Sequence, residues 1–416
     1  MAETKYLDQT GLRRVLEGID ARFAKASSNR FCEKVLLYYG APFSFNNIRD
    51  VDKCADAYSM YDICIFGDGH NETTHSSYDK TVAIFNTLRT KYPDTKIVGY
   101  VPIGVEDSNG NIGLSITEIK DDIDKWIAIG CHGIFLDEFG YDYKVTRERQ
   151  NEIVDYCHSH GLFVFANSWS MEYCFSNEAM TLDWISGFSP NPNKLPSKLN
   201  KNDYYVYENI FYNAETTDNG VVTECAKPDR ISNIIDYHTK ARIDGKTYYE
   251  VYGTKLFALD GIPSTFTDTQ KKQMRSTSVI AAAMLNIDAI AFGDEHWGSG
   301  GYYDDWDMPN SNLASKKFNK FVIETKIGTD GISFPYKWST LLNGVKCELV
   351  CNYSKKSDIA YSDGKQYVTF GGDTVNDAWV SAYNLGELVE TANKYFEKID
   401  SALESIGKIN YLEAEW

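Results

Sequence analysis

With 416 residues, 43% of them hydrophobic, the chain can bury a full core, and a barrel with additions accounts for its length. A net charge of −17 argues against nucleic acid and anionic membrane surfaces, both of which need basic patches, and favours a neutral or cationic polymer as partner. No apolar run reaches membrane-spanning length, and the opening Met1-Ala2-Glu3-Thr4-Lys5-Tyr6 lacks the basic-then-apolar layout of a signal peptide, so export by that route is not expected.

Residues 6–25 form an amphipathic helix with Leu12, Val15, Leu16, Ile19 and Phe23 on one stripe, and Asp8 or Thr10 able to cap it. The polar linker Ala26-Ser27-Ser28-Asn29 closes this first segment, 1–29. Across 30–325, apolar strand-like runs alternate with amphipathic helices. The strands are expected at 34–39, 62–66, 96–101, 133–137, 162–166, 204–208, 255–259 and 288–292. Helical stretches are expected at 76–92, 115–129, 146–160, 228–242 and 267–285. Eight βα units in succession predict an α/β protein, a (β/α)8 TIM barrel. The run 183–188 (DWISGF) is a ninth strand candidate.

Beyond Trp297, the glycine- and aromatic-rich stretch 298–306 is placed to close over the barrel mouth. Residues 326–380 alternate apolar and polar around the turn pairs Asn343-Gly344 and Asp363-Gly364, which predicts a small antiparallel β module. The last segment, 381–416, returns to a helical stripe through Leu385, Leu388, Ala392, Phe396, Ile399, Leu403 and Ile406. Nine scattered cysteines, odd in number and without a CxxC pair, read as mostly buried free thiols made in a reducing cytoplasm.

The chemistry gathers at the carboxyl ends of the strands, where barrels hold their sites. In order these ends carry Tyr38 and Tyr39, Asp68, Tyr100, Asp137 with Glu138, Asn167 with Trp169, Glu208 with Asn209, Asp260, and Asp294 with Glu295. Buried unpaired carboxylates are costly, so acids on five strands at one end imply use. Carboxylates with aromatics and asparagine, and no phosphate loop, suit glycoside hydrolysis. That reaction needs one acid to protonate the leaving oxygen and another to attack or to activate water. Strand alternation puts Phe135 and Asp137 on one face and Leu136 with Glu138 on the other, so one of the two acids faces inward.

The loop Asp68-Gly69-His70-Asn71-Glu72-Thr73-Thr74-His75 carries two histidines and two acids, but its spacing matches no HExxH helix. Asp304, Asp305 and Asp307 lack the glycine of a calcium loop. No metal and no cofactor are expected.

The motifs YYGAPF, KIVGYV, GCHGIFLDEFG, FANSW and YVYEN, spread from about Val35 to Trp297, resemble the spherulin-4-like and endo-α-1,4-polygalactosaminidase-like barrel glycosidases. The resemblance implies an acid pair, Asp137 as nucleophile or base and Glu208 as proton donor, with retention of configuration. It implies a substrate rich in α-linked galactosamine, or a related exopolysaccharide. Glu138 and Asp260 are expected as supporting acids that keep Glu208 protonated. Tyr38, Asp68, Tyr100, Asn167, Trp169, Asp260, Asp294, Glu295 and Trp297 are expected to bind substrate, with Tyr207 and Tyr302 as further stacking candidates. Where the family has a proline after the asparagine of its fifth strand, this chain has Ser168. The opening YLDQTGL resembles the first helix of tail and fibre proteins of Bacteroides-type phages. That likeness implies a tail-associated virion protein whose terminal helices meet other virion proteins or a second copy. The rival expectation is a non-catalytic carbohydrate-binding or structural barrel, separated from the enzyme by whether Asp137 and Glu208 share one cleft.

Overall fold

The computed structural model describes residues 32–294, apart from short internal stretches, and four strands between residues 321 and 370. The helices expected in 1–29 and 381–416 and the loop 298–306 lie outside the described residues. Eight parallel strands close into a barrel: β1 Glu33–Tyr38, β2 Ile63–Phe66, β3 Lys96–Pro102, β4 Gly133–Asp137, β5 Phe163–Asn167, β6 Tyr204–Glu208, β9 Lys255–Gly261 and β10 Ala289–Gly293. The barrel closes where β10 pairs with β1. The fold is the (β/α)8 barrel that the alternation predicts, with strand limits within a residue or two of expectation.

The strands read as nearly continuous apolar runs because both of their faces are covered. Alternation sorts each strand into two packed layers. Val35, Leu37, Ile65, Val98, Phe135, Phe165, Val206 and Leu259 fill the barrel interior. Leu36, Cys64, Ile97, Leu136, Val164, Tyr205 and Ala258 belong to the layer between strands and helices. The helices there include α1 Val51–Tyr58, α2 Tyr78–Lys91, α3 Ile116–Ala128 and α4 Arg147–Ser159. A capping box between Ser115 and Glu118 starts α3, and the Thr146 side chain caps α4. Shorter helices follow as α5 Met171–Phe175, α6 Pro228–Thr239 and α7 Tyr248–Tyr252.

Three features depart from expectation or add to it. The ninth strand candidate is a 3₁₀ turn, Asp183–Ile185, closed by a bridge between Leu182 and Phe188. A hairpin of β7 Tyr212–Thr217 and β8 Gly220–Cys225 follows β6 directly. Separately, β11 Phe321–Thr325, β12 Ser333–Leu342, β13 Val345–Ser354 and β14 Lys365–Phe370 form a four-stranded antiparallel sheet, with Leu342 and Val345 paired on either side of Asn343-Gly344. Six cysteines among the described residues are buried thiols outside any disulfide.

The amino-terminal end of the barrel repeats one device on every second strand. Asp62, just before β2, accepts the Lys34 N–H of β1 at 2.8 Å. The Nδ1 of His132, before β4, accepts the Ile97 N–H of β3 at 3.0 Å. Asp203, before β6, accepts the Val164 N–H of β5 at 3.0 Å, and Asp288, before β10, the Leu256 N–H of β9 at 3.0 Å. Each side chain satisfies a main-chain donor that the parallel ladder leaves open. The fully buried Asp203 also accepts from the Asn200 N–H at 2.8 Å and holds His158 at 3.0 Å.

Asp203→Ala should therefore destabilise the barrel by at least about 1–3 kcal/mol in urea titrations, since it strands the buried Val164 N–H. The hydrogen bond to Asp203, and then its charge, raise the His158 pKa above its ordinary 6.5. A raised histidine stabilises fully below the unfolded pKa, and the gain disappears as pH climbs through the folded pKa. The melting-temperature gap between wild type and His158→Asn should thus be widest below about pH 6.5 and shrink above it.

Candidate active site

The interior layer continues upward to one more inward position on each of several strands. On β1 that position follows Leu37 and is Tyr39; on β3 and β4 it is Tyr100 and Asp137; on β5 and β6 it is Asn167 and Glu208. Five functional side chains on neighbouring strands are thus aimed at one point by the pleat alone.

The side-chain amide of Asn167 joins the two acids. Its Nδ2 donates to Asp137 Oδ1 at 2.8 Å and to Glu208 Oε1 at 2.9 Å. One NH2 group thus bridges the two carboxyls. Asp137 takes two further donors: Tyr100 Oη reaches Oδ2 at 2.6 Å, and the Glu138 N–H reaches Oδ1 at 2.8 Å. The sequence turns sharply after each acid. Glu138 and Asn209 adopt left-handed φ angles of 54°, an uncommon conformation for residues other than glycine.

Two glycines make room for this arrangement. A Cβ on Gly67, the inward residue after β2, would lie 2.7 Å from the Tyr39 ring. Without it, Tyr39 packs edge-on against Tyr100 at 5.3 Å between centroids. On the other face of the wall, a Cβ on Gly99 would strike the Trp126 indole. Trp126 instead lies flat there and donates to the Tyr100 carbonyl at 3.2 Å, which fixes β3 behind Tyr100.

Burial raises the Glu208 pKa, and the neighbouring Asp137 raises it further; the Asn167 hydrogen bond and the Arg230 charge pull the other way. The same two acids, after burial, push Tyr39 well above its ordinary value. Burial, followed by Asp137, lifts Tyr143 to about 12. Arg230, from the first turn of α6, donates through Nη1 to the main-chain carbonyls of Glu208 and Asn209, the latter at 3.1 Å. Its guanidinium stacks on the Trp169 ring, 4.5 Å from the centroid, while that ring stays 69% exposed. Asp137, Glu138, Asp142, Tyr143, Trp169 and Arg230 are among the residues that wall a cleft of about 190 Å³ around Asn167 and Glu208.

Several expected residues stand elsewhere. Tyr38 faces outward and is buried edge-on against Phe45 at 5.1 Å, so its neighbour Tyr39 occupies the site instead. Asp260 also faces the helix layer, where its Oδ1 accepts the Phe211 N–H at 3.0 Å; it anchors the chain after β6 and does not line the cleft. The raised Glu208 pKa comes first from burial and then from Asp137. Glu138 sits at the cleft edge against Gly104. Asp68 is exposed in an adjoining groove that shares Tyr100. Asp294 follows β10, half-buried and outside the cleft. Tyr207 points outward, yet its edge contributes to the cleft wall. Glu295, Trp297 and Tyr302 lie outside the described residues. The sequence reading placed Tyr39 at the strand end but chose Tyr38 for the site, and it missed Tyr143 and Arg230; strict alternation from Leu37 was a signal for Tyr39, and nothing local pointed to Arg230.

A larger cavity, about 930 Å³, opens at the opposite end of the barrel around Glu33, Tyr204 and Lys255. There Asp62 and Asp288 accept main-chain N–H groups of β1 and β9, and Glu33 accepts from Tyr204 Oη at 2.6 Å. In the 68–75 loop, His70 and His75 meet edge to face at 4.5 Å between centroids, and His70 Nε2 meets the Gly40 carbonyl at 3.0 Å. Among the described residues no group of three His, Cys, Asp or Glu is placed to hold a metal ion.

No protein-family model matches the chain, and none of the curated proteins does. Solved structures resemble it distantly. The glycoside hydrolase domain of PelA from Pseudomonas aeruginosa is 9% identical, with 65% of this chain and 99% of that one covered at a TM-score of 0.37. The GH39 enzyme from Xanthomonas axonopodis pv. citri is 10% identical over 79% and 73%, at 0.39. The carboxyl transferase domain of Rhizobium etli pyruvate carboxylase is 11% identical over 72% and 46%, at 0.36. Likenesses this remote, spread over unrelated reactions, carry no argument about chemistry.

The exposure of Trp169 sets one expectation. Trp169→Ala should change stability by no more than about 1 kcal/mol, the scale of a surface cation–π contact, while weakening glycan binding in calorimetric titrations. A large fall in melting temperature would instead assign the ring to packing.

Proposed function

We propose that the chain is a glycoside hydrolase with Asp137 as nucleophile and Glu208 as proton donor. The observation that carries this reading is the Asn167 amide shared by two inward carboxyl groups, one of them buried with a raised pKa. That both carboxyls accept from one nitrogen supports the close, retaining arrangement of about 5–5.5 Å, which the resemblance implies, over the wider gap of about 6.5–9.5 Å that leaves room for a water. In the first step Asp137 bonds to the anomeric carbon, the glycosidic C–O bond breaks, and the Glu208 proton passes to the leaving oxygen. In the second, Glu208 as carboxylate takes a proton from water, and the hydroxyl displaces Asp137 to give a product of unchanged anomeric configuration. Tyr100 and the Glu138 N–H hold Asp137 in line during both steps.

The substrate class rests on the resemblance to polygalactosaminidase-like enzymes: an α-linked, galactosamine-rich exopolysaccharide or capsule, cut within the chain. The acidic cleft and the net charge of −17 are compatible with a cationic polymer. The resemblance of the first helix to phage tail proteins supports a tail depolymerase, attached to the virion or to a second copy by its terminal helices. A non-catalytic barrel would have no need to bring Asp137 and Glu208 onto one donor in a single cleft.

On a deacetylated α-1,4-galactosamine polymer, Asp137→Asn and Glu208→Gln should each lower turnover by several powers of ten with the fold unchanged. Near-normal release of reducing ends by both variants would refute the assignment. Since Glu208 acts protonated, and its pKa lies above the ordinary 4.5, turnover should hold beyond pH 4.5 and fall as pH rises through the Glu208 pKa. Proton NMR of the first product anomer tests retention. Deleting residues 1–28 should leave a folded, active barrel that no longer assembles; aggregation of the truncated protein would show that this segment completes the barrel itself.

A further inference from the structure

The connection from β5 to β6 holds a second large aromatic ring out in solvent, and the fold does not use it. Its middle, 176–190, leaves and returns at the first turn of α4. The Arg147 guanidinium grips the Cys174 and Ser176 carbonyls at 2.6 and 3.0 Å, and the Arg147 N–H meets the Pro190 carbonyl at 3.0 Å. Because α4 begins just past the carboxyl end of β4, this loop stands on the mouth side of the barrel. It is tightly closed: Leu182 N–H donates to the Phe188 carbonyl at 2.8 Å, and Phe188 N–H to the Ile185 carbonyl at 2.9 Å. Leu182 is buried as its root, and Ser186 and Gly187 turn it through left-handed φ angles of 50° and 72°. At the tip Trp184 is 66% exposed, and its indole makes no hydrogen bond or ring contact among the described residues. Exposed Asp183 and Ser186 flank it with a carboxylate and a hydroxyl.

We propose that this turn is a distal glycan-binding platform, in which the Trp184 face stacks on a pyranose ring of the polymer beyond the cleaved bond. An aromatic ring gains most when its face is covered, and a rigid turn presents it without ordering cost. Asp183 and Ser186 supply the acceptors and donors that sugar hydroxyls or an ammonium group require. Trp169 lies on the same connection with its ring likewise exposed, and in this proposal a chain leaving the cleft on this side uses both rings. The inference rests on the glycan-cleaving reading above.

The test is affinity electrophoresis of Trp184→Ala in gels containing deacetylated α-1,4-galactosamine polymer, with calorimetry on the galactosamine trimer in parallel. The substitution is exposed, so folding is not at stake. The polymer dissociation constant should rise several-fold, by a factor clearly larger than for the trimer. Equal retardation of wild type and variant overturns the platform and leaves the catalytic reading standing. So does a change of oligomeric state in the variant, which would make the turn a protein contact. If the wild type itself is not retarded, the substrate class fails and the platform with it.

Discussion

Two carboxyl groups pointing into one small, largely enclosed cleft repel each other, and the molecule relieves this with a single amide. The two hydrogens of Asn167 Nδ2 are divided between Asp137 and Glu208. Each acid gains a donor, and the separation is set by the geometry of one NH2 group instead of by two flexible side chains. Asp137 holds two more donors, whereas Glu208 has its pKa raised by burial and by Asp137. The surroundings of Glu208 thus favour its holding a proton.

The rest of the barrel keeps that amide in register. Packing behind the wall matters as much as the groups in front of it. Trp126 can lie against β3 because residue 99 is glycine, and from there it holds the Tyr100 carbonyl. Tyr39 and Tyr100 can share the mouth because residue 67 is glycine. At the other end, side chains before alternate strands satisfy main-chain donors of their neighbours, which resists slippage of the ladder. A one-residue slip on β4 would turn Asp137 out of its inward position.

Arg230 links the site to its surroundings in a way no strand does. It binds the carbonyls that follow Glu208, lowers the cost of a charged Glu208, and backs the exposed ring of Trp169. The end of β6 and the aromatic rim therefore share one cation. A strained left-handed residue after each acid completes the picture: Glu138 and Asn209 take the chain away from the mouth and leave the carboxyl groups standing.

By itself the sequence determined the barrel, since eight apolar runs alternating with amphipathic helices admit few other packings, and it placed acids at the carboxyl ends of the strands. The Asp137, Asn167 and Glu208 triad was legible because each residue closes an apolar run in the same phase as the inward residues before it. Tyr38 and Asp260 were misread because both end strands with polar groups yet sit in the outward phase; the pleat's period of two, followed from Leu37 and Leu259, separates them from Tyr39 and Gly261. Only the tertiary structure decided the spacing of the acid pair, the source of the raised Glu208 pKa, and the partnership of Arg230 with Trp169. Those depend on which strands are neighbours and on how closely side chains about 60 to 70 positions apart in sequence are pressed together. Local patterning encodes the direction of a side chain, but not its distance to a group on another strand.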